Sequence, residues 1–375
     1  MKLGIISPYP PLKGGIAKET EILYHILKDN YDIKIFSFNK LYPGFLYPDK
    51  YQHDSSYRNK DREIYHFLNP YNFFQWEKNI KQIINCNCSH LIFRFWNPFF
   101  IPLYLYIIKQ IIRNNNNIKL YCICDNVLPH ERIIFDKYFM KFFYKRFNGY
   151  MVMSNNSKEL LLEMGFNENN IIKSFLPIKK TFNNKISQNK ALKLLNINKP
   201  KLLLLFFGLI RDYKGLDILI NSMDKLKDYD IKLLIAGKCY KNKNSYKALI
   251  RNKNLNNNII WHDRYIPDSE IHLYFSAVDA VVLSHTKISQ SGILPLAYEY
   301  NKLIIASDLD SFRENILNNK TGYLFKNNDI DSLKKIIITI YNYHNFNSSE
   351  MHIENFKSKY SEQSIVDDFS SLFKL

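Results

Sequence analysis

Apolar runs of strand length alternate with amphipathic stretches along the whole chain. Lys2 to Ser7 reads as a buried strand, followed by a Pro/Gly loop and a helix from about Ile16 to Leu27. Tyr31 to Phe38, Ser89 to Phe95, Lys119 to Cys124 and Gly149 to Ser154 predict further strands, the last leading into the helical stretch SKELLLEMGF. The same grammar restarts at Leu202 to Phe207, with a Gly-bounded loop and a helix from Gly215. Ile231 to Ala236, Ile259 to His262, Ala280 to Ser284 and Leu303 to Ser307 complete the second series. Strands alternating with helices predict parallel sheets covered on both faces, an α/β fold. Between the series lies Pro177 to Pro200, polar and rich in Lys and Asn, with one short helical pattern at Asn189 to Leu195. It is the predicted domain boundary. Ser361 to Leu375 has Ile365, Phe369, Leu372 and Phe373 on one side of an amphipathic helix. Two α/β halves facing a cleft are the expected architecture, with ligands outside the carboxyl ends of the strands.

The length of 375 residues suits two or three domains, two being simplest. With 46% hydrophobic and 23% charged residues, the composition excludes a disordered polyelectrolyte, a collagen-like repeat and a disulfide scaffold. Cys86, Cys88, Cys122, Cys124 and Cys239 form neither a CxxC pair nor a His-bearing metal signature. They read as reduced thiols. The first apolar stretch ends at once in Ser7-Pro8-Tyr9-Pro10-Pro11, unlike a signal peptide. The longest apolar tracts, Pro98 to Ile108 and Leu202 to Ile210, are too short to span a bilayer, which takes about 20 residues. The net charge of +17 leaves four readings open: a polyanionic partner, an acidic membrane, a phosphorylated substrate, or coding bias toward Lys.

Four loops carry the candidate chemistry. Gly14 and Gly15 lie between the first strand and its helix, where backbone can approach an anion. This is not a GxGxxG fingerprint, and no GxxxxGK[ST] occurs, so nicotinamide and P-loop chemistry lack support. Gly208 to Gly215 places Arg211 and Lys214 three residues apart after a strand, a fork and a point charge suited to a diphosphate. Ser291 and Gly292, with Pro295 just beyond, open a helix whose free N–H groups can hold phosphate oxygens. Asp125, Asn126, His130 and Glu131 gather groups for proton transfer or sugar hydroxyls after a buried strand. Each loop also has a plain structural reading, as a turn, a capping region or a solvated surface.

Together, in this order and spacing, six stretches resemble the retaining GT-B glycosyltransferases of the group 1 family. They are ISPYPPLKGGIA, DNVLPHE, LLLLFFGLIRDYKGLDILI, RYIPDSEIHLYFSAVDAVVLS, SQSGILPLAYEYNKLIIASD and TGYLF. The resemblance implies an acceptor-binding Rossmann-like domain over 1–177 and a nucleotide-sugar-binding one over 178–355. It also implies a helix over 356–375 that crosses back to the first. Lys214 matches the lysine that neutralises the donor diphosphate. Arg211 substitutes for an arginine that many members place where this chain has Leu209. Gly15, beside Gly14, matches the loop that approaches the donor phosphates, and Gly208 opens the Lys214 loop. Arg264, Tyr265 and Ile266 match the base-contacting stretch, and His130 and Glu131 match a PHE motif. The family's Glu-x7-Glu pair falls on Ile288 and Leu296, so both carboxylates are absent. Gln290, Ser291, Gly292 and Ile293 resemble the QSG loop of a subgroup and are the substitute donor contacts.

The implied reaction moves a sugar from a nucleoside-diphosphate donor to a glycan or lipid-linked acceptor with retention, in surface polysaccharide synthesis. His130, Lys214 and Arg211 carry the catalysis, with no metal and no further cofactor. An inactive scaffold is the alternative that the missing glutamates motivate. A nucleic-acid-binding protein is disfavoured because the aromatics follow core periodicity and no nucleic-acid motif occurs. Ile133 to Phe147, with Lys137, Lys141, Lys145 and Arg146, reads either as a helix lying on an anionic membrane or as a core helix with solvated lysines. The expected location is cytoplasmic, with peripheral attachment to the inner face of the cell membrane as its extension.

Overall fold

The computed structural model describes residues 1–43, 52–54, 57, 61–115, 117–128, 136–175, 185–288, 291–343 and 346–375. They form two compact units. The first comprises Met1–Pro177 with Ser361–Leu375, the second Ile178–Tyr360.

The first unit runs β1 (Lys2–Ile6), α1 (Gly15–Leu27), β2 (Asp32–Phe38), β3 (Ile64–Leu68), α2 (Phe73–Asn85), β4 (His90–Phe95) and α3 (Ile101–Asn114). It continues through β5 (Lys119–Cys124), α4 (Asp136–Tyr144), β6 (Gly149–Val152), α5 (Asn155–Glu163) and β7 (Ile171–Lys173). The seven strands form one parallel sheet in the order β3-β2-β1-β4-β5-β6-β7. Its central strands are buried on both faces, so they read as near-continuous apolar runs in the sequence. One face packs Phe93, Phe95, Leu120, Cys122 and Cys124 against the helices α2 to α5. The opposite face packs Leu3, Ile5, Ile92, Tyr121 and Ile123 against α1 and the last helix of the chain, α14 (Glu362–Phe373). Ile365, Phe369 and Leu372 of α14 are fully buried there, each worth about 1.5–3 kcal/mol of apolar burial. The five cysteines are free thiols, four of them buried.

The second unit runs α6 (Gln188–Leu194), β8 (Leu202–Phe207), α7 (Leu216–Asp224), β9 (Ile231–Ala236), α8 (Lys243–Asn252), β10 (Ile259–His262) and α9 (Asp268–Ala277). Then follow β11 (Ala280–Leu283), α10 (Ile293–Glu299), β12 (Leu303–Ser307), α11 (Asp310–Arg313), β13 (Gly322–Phe325), α12 (Ile330–Tyr343) and α13 (Phe346–Phe356). Six parallel strands are ordered β10-β9-β8-β11-β12-β13. Leu202, Leu204 and Phe206 face α7, α8 and α12, while Phe207 packs on Phe275 of α9 at 5.0 Å between ring centres.

In each sheet the strand order reverses at one place, between β1 and β4 and between β8 and β11. Loops diverge from the carboxyl ends of such a pair and leave a crevice, the usual place for a ligand in an open α/β sheet. Gly14 and Gly15 follow β1, and Lys214 follows β8. Three edge strands, β3, β7 and β13, lie outside the strand expectations. They are short and only partly buried, so no long apolar run marks them.

Candidate functional site

In the second unit, β8 delivers the chain to Gly208, which takes φ 94°. The Gly208 N–H donates to the Ala236 carbonyl at 2.9 Å and Ile210 N–H to Lys238 at 3.0 Å, tying the loop to the end of β9. A Cβ on Gly237 would stand 2.0 Å from the Gly208 carbonyl oxygen, so only glycine permits that approach. A single 3-10 turn, Asp212–Lys214, then closes on Gly215, left-handed at φ 64°. The Ser284 hydroxyl donates to the Lys214 and Gly215 carbonyls at 3.0 and 2.9 Å, and Thr286 N–H donates to Tyr213 at 2.8 Å. The loops after β8 and β11 are thereby stitched together.

This stitching aims Lys214 back over the end of β8. Its Nζ lies 3.1 Å from where a Gly208 Cβ would be, and Ile293 Cδ1 at the start of α10 lies 3.6 Å from the same point. Any side chain at position 208 would occupy the space that the ammonium uses. Burial, then the neighbouring charge of Arg211, pull the Lys214 pKa down to about 8. Arg211 itself is exposed at the head of the turn. His285 packs beside this lysine, 3% exposed, and burial with the Lys214 charge lowers its pKa to about 3. It is a neutral imidazole at working pH. Its Nδ1 has no hydrogen-bond partner among the described residues. An anion placed against such an ammonium favours its charged form and raises its pKa back toward the ordinary lysine value.

Ser291, Gly292 and Ile293 lead into α10, with the Leu294 N–H donating to Ser291 at 3.2 Å. Gly292 is exposed, and a Cβ there would meet open space. Arg264 forms an ion pair with Glu270 and donates to the Tyr274 hydroxyl at 3.2 Å, which also meets His262 Nδ1 at 2.9 Å. Tyr265 is exposed and Ile266 buried, so this segment offers an aromatic face and backbone rather than a free guanidinium. Asp308 and Asp310 are both engaged by Arg313. Among the described residues no group of three or more His, Cys, Asp or Glu side chains is placed to hold a metal ion.

In the first unit, Arg94 at the end of β4 is the organising group. Its side chain is 2% exposed and donates to both Asp125 oxygens, from Nε at 2.7 Å and from a terminal nitrogen at 2.8 Å. It also pairs with Glu19 of α1 and donates to the Ile16 carbonyl at 3.3 Å. Burial raises the Glu19 pKa, with Arg94 opposing and Asp125 adding to the rise. A buried cation thus clamps the first turn of α1, hence Gly14 and Gly15, to the loop after β5. Asp125 spends its carboxylate on this clamp, and Asn126 donates to the Trp96 carbonyl at 3.2 Å. Gly14 and Gly15 are exposed. His130, Glu131 and Gln290 lie outside the described residues.

Residues 187–359, from α6 to the end of the second unit, match the family model of the glycosyl transferases, group 1. Over that span the second unit is similar to the group 1 glycosyl transferases. Solved structures extend the likeness in fold to both units of the chain. A glycosyltransferase from Rickettsia africae superimposes with a TM-score of 0.77 at 18% identity, over 100% of this chain and 97% of that one. HepE of Anabaena in complex with UDP gives 0.77 at 14% identity, over 100% of both chains. The apo form of the lipopolysaccharide outer core galactosyltransferase WaaB gives 0.72 at 16% identity, over 100% and 99%. The fold is therefore GT-B, in line with the α/β expectation. No curated protein matches the chain.

Within the second unit, Gly208, Lys214 and Ile293 come together where the loops after β8 and β11 meet. His285 and Gly237 belong to the same place and were not singled out by sequence, nor was Arg94 in the first unit. An arginine inside the strand LIFRFW was the available signal, since a buried cation requires a carboxylate nearby.

Proposed function

We propose that the chain transfers a sugar from a nucleoside-diphosphate donor to a glycan or glycolipid acceptor, with retention, in the synthesis of a surface polysaccharide. The observation that carries this reading is Lys214, a half-buried ammonium over the end of β8 in a unit matching the group 1 transferases. HepE, similar in fold over its whole length, is a complex with UDP, and WaaB acts on lipopolysaccharide outer core. The second unit holds the donor and the first binds the acceptor. Lys214 and Arg211 neutralise the diphosphate, with Ser291, Gly292 and Ile293 and Gln290 alongside. Arg264, Tyr265 and Ile266 face the base, and no metal or cofactor takes part. The acceptor hydroxyl attacks the anomeric carbon from the face the diphosphate leaves. The new carbon–oxygen bond forms as the bond to phosphate breaks, and the hydroxyl proton passes to the departing phosphate oxygen. Asp125, Asn126, His130 and Glu131 shape the acceptor side, Asp125 acting through its hold on Arg94.

Replacing Lys214 by Ala removes one charge-stabilising donor, worth about 2–4 kcal/mol in the transition state. Turnover with UDP-, GDP- and ADP-sugars should fall by the corresponding roughly 30- to 1,000-fold, with added EDTA without effect on the wild type. Unchanged turnover in Lys214→Ala would remove the assignment. Full activity of the wild type against none of these donors would favour an inactive scaffold instead.

The acceptor side of this reading includes an anionic membrane surface. Tyr138, Phe139 and Phe142 of α4 are 78%, 50% and 50% exposed, while Met140, Phe143 and Tyr144 fill the core. Arg146, just past the helix, lies 4.7 Å from the Phe142 ring, and Lys145 is exposed beside it. Aromatic rings flanked by cations suit a headgroup boundary. Co-sedimentation with phosphatidylglycerol-containing vesicles should drop at least tenfold in Phe139→Ser/Phe142→Ser. Equal sedimentation of that variant, or equal binding to neutral vesicles, would dismiss the membrane role.

A further inference from the structure

The second unit contains a cavity of about 430 Å³ at the opposite edge of its sheet from Lys214. Val278 and Asp279 line it just before β11, and Lys302 and Leu303 line it at the start of β12. The two sites are therefore separated by the length of a strand, about 15 Å. The volume suits a monosaccharide-sized ligand, since small-molecule sites span roughly 300–1,000 Å³.

Its electrostatics are uneven. Lys185, Lys199 and Lys302 line it together with Asp279 and Glu350. Asp279 is committed: one oxygen accepts from the Leu203 N–H at 2.8 Å and the other from Gln188 Nε2 at 2.8 Å. Lys199 donates to Gln188 Oε1 at 2.6 Å. The Lys302 ammonium makes no hydrogen bond among the described residues. Burial pulls its pKa below the ordinary lysine value, against the opposing pull of Asp279 and Glu350. Lys302 is half-buried, and three lysines face only Asp279 and Glu350 here, so an anion entering the cavity favours its charged form. Phe346, Ser349 and Glu350 of α13 line one wall of the cavity. Ser276 and Ser349 supply hydroxyl groups around the remaining wall, and Tyr300 supplies a ring.

We propose that this cavity is a second ligand site of this unit, separate from the donor site, and that it binds a phosphorylated monosaccharide. Lys302, backed by Lys185 and Lys199, holds the phosphate. Glu350 and the serine hydroxyls meet the sugar hydroxyls, and the Tyr300 ring covers one face.

Isothermal titration calorimetry with glucose 6-phosphate, inorganic phosphate and glucose at constant ionic strength tests the assignment on the full chain. Glucose 6-phosphate should bind the wild type and Lys214→Ala alike. Its Kd should rise at least tenfold in Lys302→Met, and likewise in Lys185→Gln/Lys199→Gln, whose two positions are exposed and leave the fold intact. Circular dichroism melting of Lys302→Met checks that its own fold survives. Loss of binding in Lys214→Ala with retention in both lysine variants would place the ligand in the donor site and overturn the proposal. No heat with glucose 6-phosphate, or equal heat with glucose, would overturn it too. Inorganic phosphate binding as tightly as the sugar phosphate would overturn the sugar half of it.

Discussion

Lys214 links the geometry to a measurable pH dependence. Its ammonium is half-charged near pH 8 in the free protein, because burial and Arg211 both disfavour the charged form. A bound diphosphate favours that form, so binding must take up a proton above about pH 7.5. UDP affinity should stay level below that point and then weaken, approaching tenfold per pH unit between about 8 and 9.5. Lys214→Arg keeps its charge throughout, since the guanidinium does not deprotonate, and should flatten the profile. Calorimetry in buffers of different ionisation enthalpy reads the proton uptake directly; a wild-type profile as flat as the arginine variant's would refute this. The sign for stability follows from the same shift. Between about pH 8 and 10.5 the unfolded chain binds the extra proton, so the cost of this half-buried lysine fades as pH rises. Of this site, Lys214 was legible because it stands between glycines just after an apolar run. His285 was not, because its proximity to Lys214 exists only after β8 and β11 pair, and Arg94 needed two distant carboxylates to declare its role.

At the scale of elements, the loops after β8 and β11 hold one another through a backbone that excludes a side chain. A Cβ on Gly215 would stand 2.0 Å from the Ser284 carbonyl oxygen, and the residue is left-handed at φ 64°. Gly215→Ala should therefore lower stability by at least about 2 kcal/mol, the left-handed penalty plus a backbone clash. Gly292→Ala, in open space with ordinary helical angles, should change the melting temperature little. Equal melting temperatures for the two variants would show that the stitch is not rigid. Why some elements were readable follows from their burial. β5, β8, β9 and β12 have the bounds that their apolar runs predict, because central parallel strands lose solvent on both faces, and β10 keeps its predicted bounds although it is an edge strand. β3, β7 and β13 stand at or next to sheet edges, where intermediate exposure lets polar residues interrupt the pattern, as His66 does in IYHFL. The helix expected from Ile133 to Phe147, read either as membrane-lying or as core-packing, is described only from Asp136 to Tyr144, and its last two cations sit beyond its end.

At the scale of the whole molecule, the chain begins and ends in the same unit, and the net charge of +17 divides by place rather than acting as one field. Lys214 and Arg211 sit at one edge of the second sheet, Lys302, Lys185 and Lys199 at the other, and Lys145 and Arg146 beside the exposed rings of α4. The return of the tail has a consequence for how the units fail. Removing residues 361–375 strips Ile365, Phe369 and Leu372 from Leu3, Ile5 and Ile123, an apolar loss of up to about 5–9 kcal/mol. That is comparable to the whole stability of an ordinary domain, about 5–15 kcal/mol. The second unit loses nothing from its own core. Hydrogen exchange of the truncated chain should therefore show amides of β1, β5 and β6 losing protection while β8, β9 and β12 keep theirs. Phe369→Ala should do the same in part, at about 3–5 kcal/mol. UDP should still bind the truncated chain with its affinity little changed, because every donor-side group except the Gly14-Gly15 loop belongs to the second unit. Equal deprotection of both sheets would mean that the second unit depends on the first for its stability. Loss of UDP binding with β8 still protected would mean that the first unit supplies part of the donor site.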